Sequence, residues 1–119
     1  KGANLIDCFC RPAPAPSDVV LKENVSTIDN ALDKLKQING VYFDWKQSFI
    51  EELKNNGSFV RKRETGVIAN EVEKVLPEVI VTQENGLRYV EYDKMAGLII
   101  EAIKELDVKL ENIKKHLNI

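Results

Sequence analysis

Few residues in this chain carry side chains that could do chemistry. Ser17 has a hydroxyl, Lys22 an amine, Cys8 and Cys10 two thiols, and His116 the sole imidazole. A serine oxygen becomes a nucleophile when a base takes its proton, and a lysine acts as that base only in its neutral form. Ser17 and Lys22 stand five positions apart. Five residues of an α-helix turn through about 140° from a common face, so spacing alone does not pair them. The Cys8 and Cys10 thiols have no further cysteine or histidine cluster nearby to complete a zinc site, and His116 lies near the other end of the chain. Two reduced thiols are expected, with no metal and no cofactor.

The background for these residues is that of an ordinary soluble domain. The 119 residues are 30% charged and 44% hydrophobic, enough for one modest core. Seventeen basic and nineteen acidic residues give a formal charge of −2 and are mixed along most of the chain. That balance leaves no electrostatic footprint for nucleic acid and no basic amphipathic stretch for a membrane surface. No apolar run approaches the roughly 18 residues that a membrane span needs. The chain opens with Lys1 rather than methionine and is read as part of a longer polypeptide.

The first boundary is Arg11-Pro12-Ala13-Pro14-Ala15-Pro16. Alternating prolines fix φ, remove backbone donors and favour extended polyproline geometry, which makes a stiff linker. Residues 1–16 are assigned to the end of a preceding module plus this linker, and 17–119 to one compact domain. Within that domain a helix is predicted from a Ser26 or Thr27 cap, with Asp29 in its first turn, to a stop at Asn39-Gly40. Ile28, Ala31, Leu32, Leu35 and Ile38 fall on one face of it. Val41 to Trp45 alternates with period two and reads as a half-buried strand. Residues 46–58 read as a short helix ending in Asn55-Asn56-Gly57, and Phe59 to Thr65 as another strand. Ala69 to Leu76 is a helix stopped by Pro77. Val79–Thr82 and Leu87–Tyr92 flank Asn85-Gly86, whose residues tolerate positive φ, and predict a hairpin.

The last segment is the most periodic. Tyr92, Ala96, Ile99, Ile103, Leu106, Leu110, Ile113 and Leu117 alternate in spacings of four and three. A repeat of about 3.5 residues sustained over more than three heptads argues for a coiled coil. Mixed Ile and Leu at both core positions leaves dimer, trimer and higher states open. Leu98 and Ile100 widen the apolar face near its start, so that end is expected to pack on the globular part as well. The elements add up to an α+β fold: a small mixed sheet and hairpin with short helices, then a long C-terminal helix, about 93–118, in a coiled coil.

Several motifs in order carry a family resemblance. Ser17-Asp18-Val19-Val20-Leu21-Lys22-Glu23-Asn24-Val25 resembles the S-D-x-R-x-K-x-N-I signature that opens the intramolecular chaperone domain of endosialidases, phage tail spikes and neck appendages. A relative of that domain occurs in myelin regulatory factors. Gly40-Val41-Tyr42-Phe43-Asp44-Trp45 is similar to its G-V-x-F-x-W strand, and Gly66-Val67-Ile68-Ala69-Asn70-Glu71-Val72 to its G-x-I-A-Q-E-V motif. Leu76-Pro77-Glu78, Tyr89-Val90-Glu91-Tyr92 and the long terminal helix continue the match to about residue 115. Val20 stands where the family has arginine, and Asn70 where it has glutamine.

The resemblance implies autoproteolysis at the Pro16–Ser17 bond, with Ser17 as nucleophile and Lys22 as general base. Beside this pair, Asp18 and Glu71 are read as structural, orienting the loop or capping a helix, and either the backbone N–H groups near Asn24 or its side-chain amide as the oxyanion donor. The resemblance further implies a homotrimer held by Ala96, Ile99, Ile103, Leu106, Leu110, Ile113 and Leu117. The partner would be the upstream fibre or spike module of the same polypeptide, with neither nucleic acid nor membrane involved. Such a chain would be a virion tail appendage precursor made in the bacterial host cytoplasm, where the released domain would remain. The competing reading is a non-cleaving trimerisation cap that stays on the fibre.

Overall fold

The computed structural model describes residues 14–57 and 61–119. The Cys8 and Cys10 thiols, the linker as far as Ala13, and Phe59 and Val60 of the expected second strand lie outside the described residues. The chain divides into two compact units.

One unit joins the chain up to Ser26 with Asp44–Lys62. Its described part begins as exposed chain at Pro14–Pro16 and enters a single 3-10 turn, Val19–Leu21. Helix α2, Gln47–Asn55, is the second regular element. Gly57 ends that region at φ 78, where a side chain would be strained. Ile50 is the buried residue of α2, and the rings of Trp45 and Phe49 pack with centroids 5.0 Å apart.

The other unit, Thr27–Phe43 with Arg63–Ile119, contains the core. In chain order it presents helix α1 (Ala31–Lys36), strands β1 (Val41–Asp44) and β2 (Arg63–Gly66), helix α3 (Ala69–Val75), strands β3 (Ile80–Thr82) and β4 (Arg88–Val90), and helix α4 (Ala96–Leu117). The fold is mixed helix and small sheets with a long C-terminal helix. β1 pairs with β2, and β3 with β4, in two separate two-stranded sheets. The hairpin register sets Ile80 opposite Val90 and Thr82 opposite Arg88. Its turn is closed by Gly86 at φ 88 and by the Asn85 side chain, which accepts the Leu87 N–H at 3.0 Å. α3 ends at Val75, two positions before Pro77, and that proline opens a 3-10 turn, Pro77–Val79, where its missing N–H costs nothing.

The core gathers Ala31 from α1, Val72 from α3, Leu76 that caps it, Val79 from the following turn, Met95 from the 3-10 turn before the last helix, and Leu98 and Ala102 from that helix. Ile28, Leu32, Leu35 and Ile38 pack against it, although only Leu32 and Leu35 lie within α1. Helix α1 is shorter than expected at both ends. Asn30 takes a left-handed conformation, φ 49, which interrupts any helix begun at Ser26 or Thr27. Neither of those residues caps it. The Glu105 carboxylate of α4 does so instead, accepting the N–H groups of Ala31 and Leu32, each at 2.9 Å. Helix α4 itself starts at Ala96, after a 3-10 turn, Tyr92–Met95. The Tyr92 hydroxyl accepts the Val67 N–H at 3.2 Å, lying so close over Gly66 that a methyl group there would meet it at 2.5 Å.

Candidate active site

Ser17 follows the exposed prolines, and its hydroxyl oxygen lies 2.7 Å from the Lys22 ammonium nitrogen. A continuous α-helix could not bring these two residues together. The chain solves the problem with a tighter element. Asp18 and Lys22 are both extended, and between them Val19–Leu21 makes one 3-10 turn. The Leu21 N–H donates to the Asp18 carbonyl at 3.0 Å, and the Lys22 N–H to the Val19 carbonyl at 3.1 Å. The Asp18 side chain caps the turn by accepting the Val20 N–H at 3.1 Å. Lys22 thus leaves the turn with its side chain within hydrogen-bonding distance of Ser17.

The site is open. Val19, Val20 and Leu21 are exposed, as are Ser17 and Lys22. Val20, at the position of the family arginine, is 78% exposed. Asn24, two residues beyond the lysine, is exposed and left-handed at φ 56, a conformation that asparagine tolerates better than most residues. The Pro16–Ser17 bond lies in exposed chain.

Residues 17–81 match the family described as "Chaperone of endosialidase". The chain belongs to the chaperone-of-endosialidase family. Across 105 residues, 85% of its length, it is 32% identical to the long tail fiber protein Gp37 of Enterobacteria phage K3. The identity to the protein of that name from Enterobacteria phage T2 is also 32%, over 105 residues. To the one from Salmonella phage S16 it is 29% over 112 residues. The chain spans only 8%, 7% and 14% of these three relatives.

Within this family chain the residues singled out in the sequence separate into two groups. Ser17, Asp18 and Lys22 share one turn. Glu71 belongs to the core-containing unit, where its carboxylate accepts the Asn39 N–H at 3.0 Å and holds the loop that precedes β1. The stripe of α4 is solvent-facing: Ile99, Ile103, Leu106, Leu110, Ile113 and Leu117 are all exposed, while Leu98 and Ala102 on the neighbouring face are buried. Ile100 is exposed rather than packed on the core. Sequence reasoning missed Glu105, which no local signal reveals because its partners lie 73 and 74 positions earlier.

Proposed function

We propose that this chain is an intramolecular chaperone of a phage tail fibre, which trimerises through the outer stripe of α4 and then releases itself at the Pro16–Ser17 bond. The observation that carries the reading is the 2.7 Å approach of Lys22 Nζ to Ser17 Oγ, beside the bond to be cut. Ser17 Oγ attacks the carbonyl carbon of Pro16 while Lys22, in its neutral form, takes the hydroxyl proton. The peptide C–N bond breaks, the proton passes to the Ser17 nitrogen, and the Pro16 acyl group is left as an ester on Oγ. Water opens the ester, giving a Pro16 carboxylate and Ser17 at a new N-terminus.

Support for assembly comes from the exposed stripe. Its regular spacing and its length suit coiled-coil packing, and an apolar band of this kind on a surface helix marks a contact site. Three tethered chains joined at one end see one another at roughly millimolar effective concentration, which helps inter-chain contacts of high loop-closure cost to form. Removal of the template afterwards makes the fibre kinetically trapped rather than freely reversible. The likeness to long tail fiber proteins supports a fibre as the client and the virion as its destination.

Denaturing mass measurement of a polypeptide extending well upstream of Lys1 tests the cleavage step. The wild type is expected to yield a product beginning at Ser17, and Ser17→Ala and Lys22→Ala to remain intact while still folding and assembling. Wild-type processing in both variants rules out this dyad. An intact wild type supports the non-cleaving cap.

A further inference from the structure

We propose that Asp18 is the positioning residue of the Ser17–Lys22 pair: its carboxylate, by capping the turn Val19–Leu21, sets the backbone path that carries Lys22 back to Ser17. This deepens the reading given under Proposed function and rests on it. The need for such a residue follows from the chain itself. Five extended residues span about 17 Å, beyond the reach of a lysine side chain, whereas a continuous α-helix points the two groups apart. A short turn between extended flanks meets the requirement, and this chain makes one.

Among the described residues, that turn has little else to hold it. Val19, Val20 and Leu21 are 77%, 78% and 70% exposed, so burial contributes almost nothing to its formation. Two consecutive β-branched residues are stiff at χ1 and poorly suited to helical backbone. Two i→i+3 backbone hydrogen bonds close the turn, and such geometry is weaker than that of an α-helix. Against these odds stands the Asp18 Oδ1 bond to the Val20 N–H at 3.1 Å, which satisfies a donor that the turn otherwise leaves to water. Asp18 therefore acts on the population of chains whose Lys22 faces Ser17. It acts through an oxygen acceptor, not through its charge.

This distinction fixes the test. Cleavage rates would be measured in the polypeptide that extends upstream of Lys1, for the wild type, Asp18→Ala and Asp18→Asn, with melting temperature and oligomeric state followed in parallel. Loss of a capping oxygen lowers the competent population, so D18A is expected to cleave roughly 2- to 30-fold more slowly. Its melting temperature, its oligomeric state and the midpoint of its pH–rate profile should match the wild type. The asparagine oxygen accepts the same bond, so D18N should cleave within about twofold of the wild-type rate. A cleaving wild type with D18A at an equal rate overturns this proposal alone. So does a D18N rate as low as that of D18A with a displaced pH midpoint, because the charge would then be the active property. A wild type that never cleaves overturns the cleavage reading and this proposal together.

Discussion

Lys22 Nζ donates a hydrogen bond to Ser17 Oγ, and the proposed cleavage asks the side chain to accept the proton of that hydroxyl. An arginine at the same position would preserve a cation and a hydrogen-bond donor, but a guanidinium keeps its proton at any working pH. Lys22→Arg should therefore fold and assemble like the parent and show no cleavage within the time the wild type needs for completion, as read by denaturing mass measurement. Detectable processing in K22R would show that the lysine only orients the serine. The identity of this pair was legible in the sequence through the order of family motifs around it. Its geometry was not, because helical periodicity separates the two residues and no periodicity announces a single 3-10 turn between extended flanks. Glu71 was equally hard to place. Its sequence position is that of a family motif, yet its carboxylate serves the Asn39 backbone.

Elements whose limits are set by neighbouring residues were the easiest to foresee. Pro77 stops α3, and Asn85-Gly86 turns the hairpin, each through chemistry contained within a few positions. Helix α1 is the opposite case. Local capping rules point to Ser26 or Thr27, but the left-handed Asn30 moves the start to Ala31, and Glu105 supplies the acceptors from α4. The two N–H groups hold the Glu105 carboxyl below its ordinary value, with the nearby Lys109 charge adding to the effect. A carboxylate depressed in the folded state stabilises the protein above its unfolded pKa, and that contribution disappears as pH falls through the folded value. Glu105→Gln, which retains one acceptor and no charge, should melt at a lower temperature than the wild type at pH 7. The gap should close as the pH is taken well into the acid range. A gap that is constant with pH, or absent throughout, would show that the carboxylate contributes nothing to holding α1.

For the whole molecule, the decisive feature is that α4 carries two apolar faces, one buried and one exposed. Leu98 and Ala102 are buried in the core of their own unit, whereas Ile103 and Leu106 are 60% and 51% exposed. Leu98→Ala should lower folding stability by about 2–5 kcal/mol, measured by denaturant unfolding, because Leu98 is fully enclosed. Changing Ile103 and Leu106 together to Asp should leave the secondary structure intact yet give a monomer by light scattering. The charges would enter an apolar interface where each unpaired one costs several kcal/mol. A parent protein already monomeric at micromolar concentration would refute the assembly reading. The heptad stripe was visible in the sequence, as was Leu98 widening it; which residues are buried and which exposed needed the position of α1, which packs on one face of α4. The proposed chaperone role is tested most directly by the yield of folded upstream fibre with and without residues 17–119. A full-length Ser17→Ala polypeptide should give soluble, protease-resistant trimers, and the gene truncated after Pro16 should give aggregated or monomeric protein. Equal yields of protease-resistant trimers from both would contradict it.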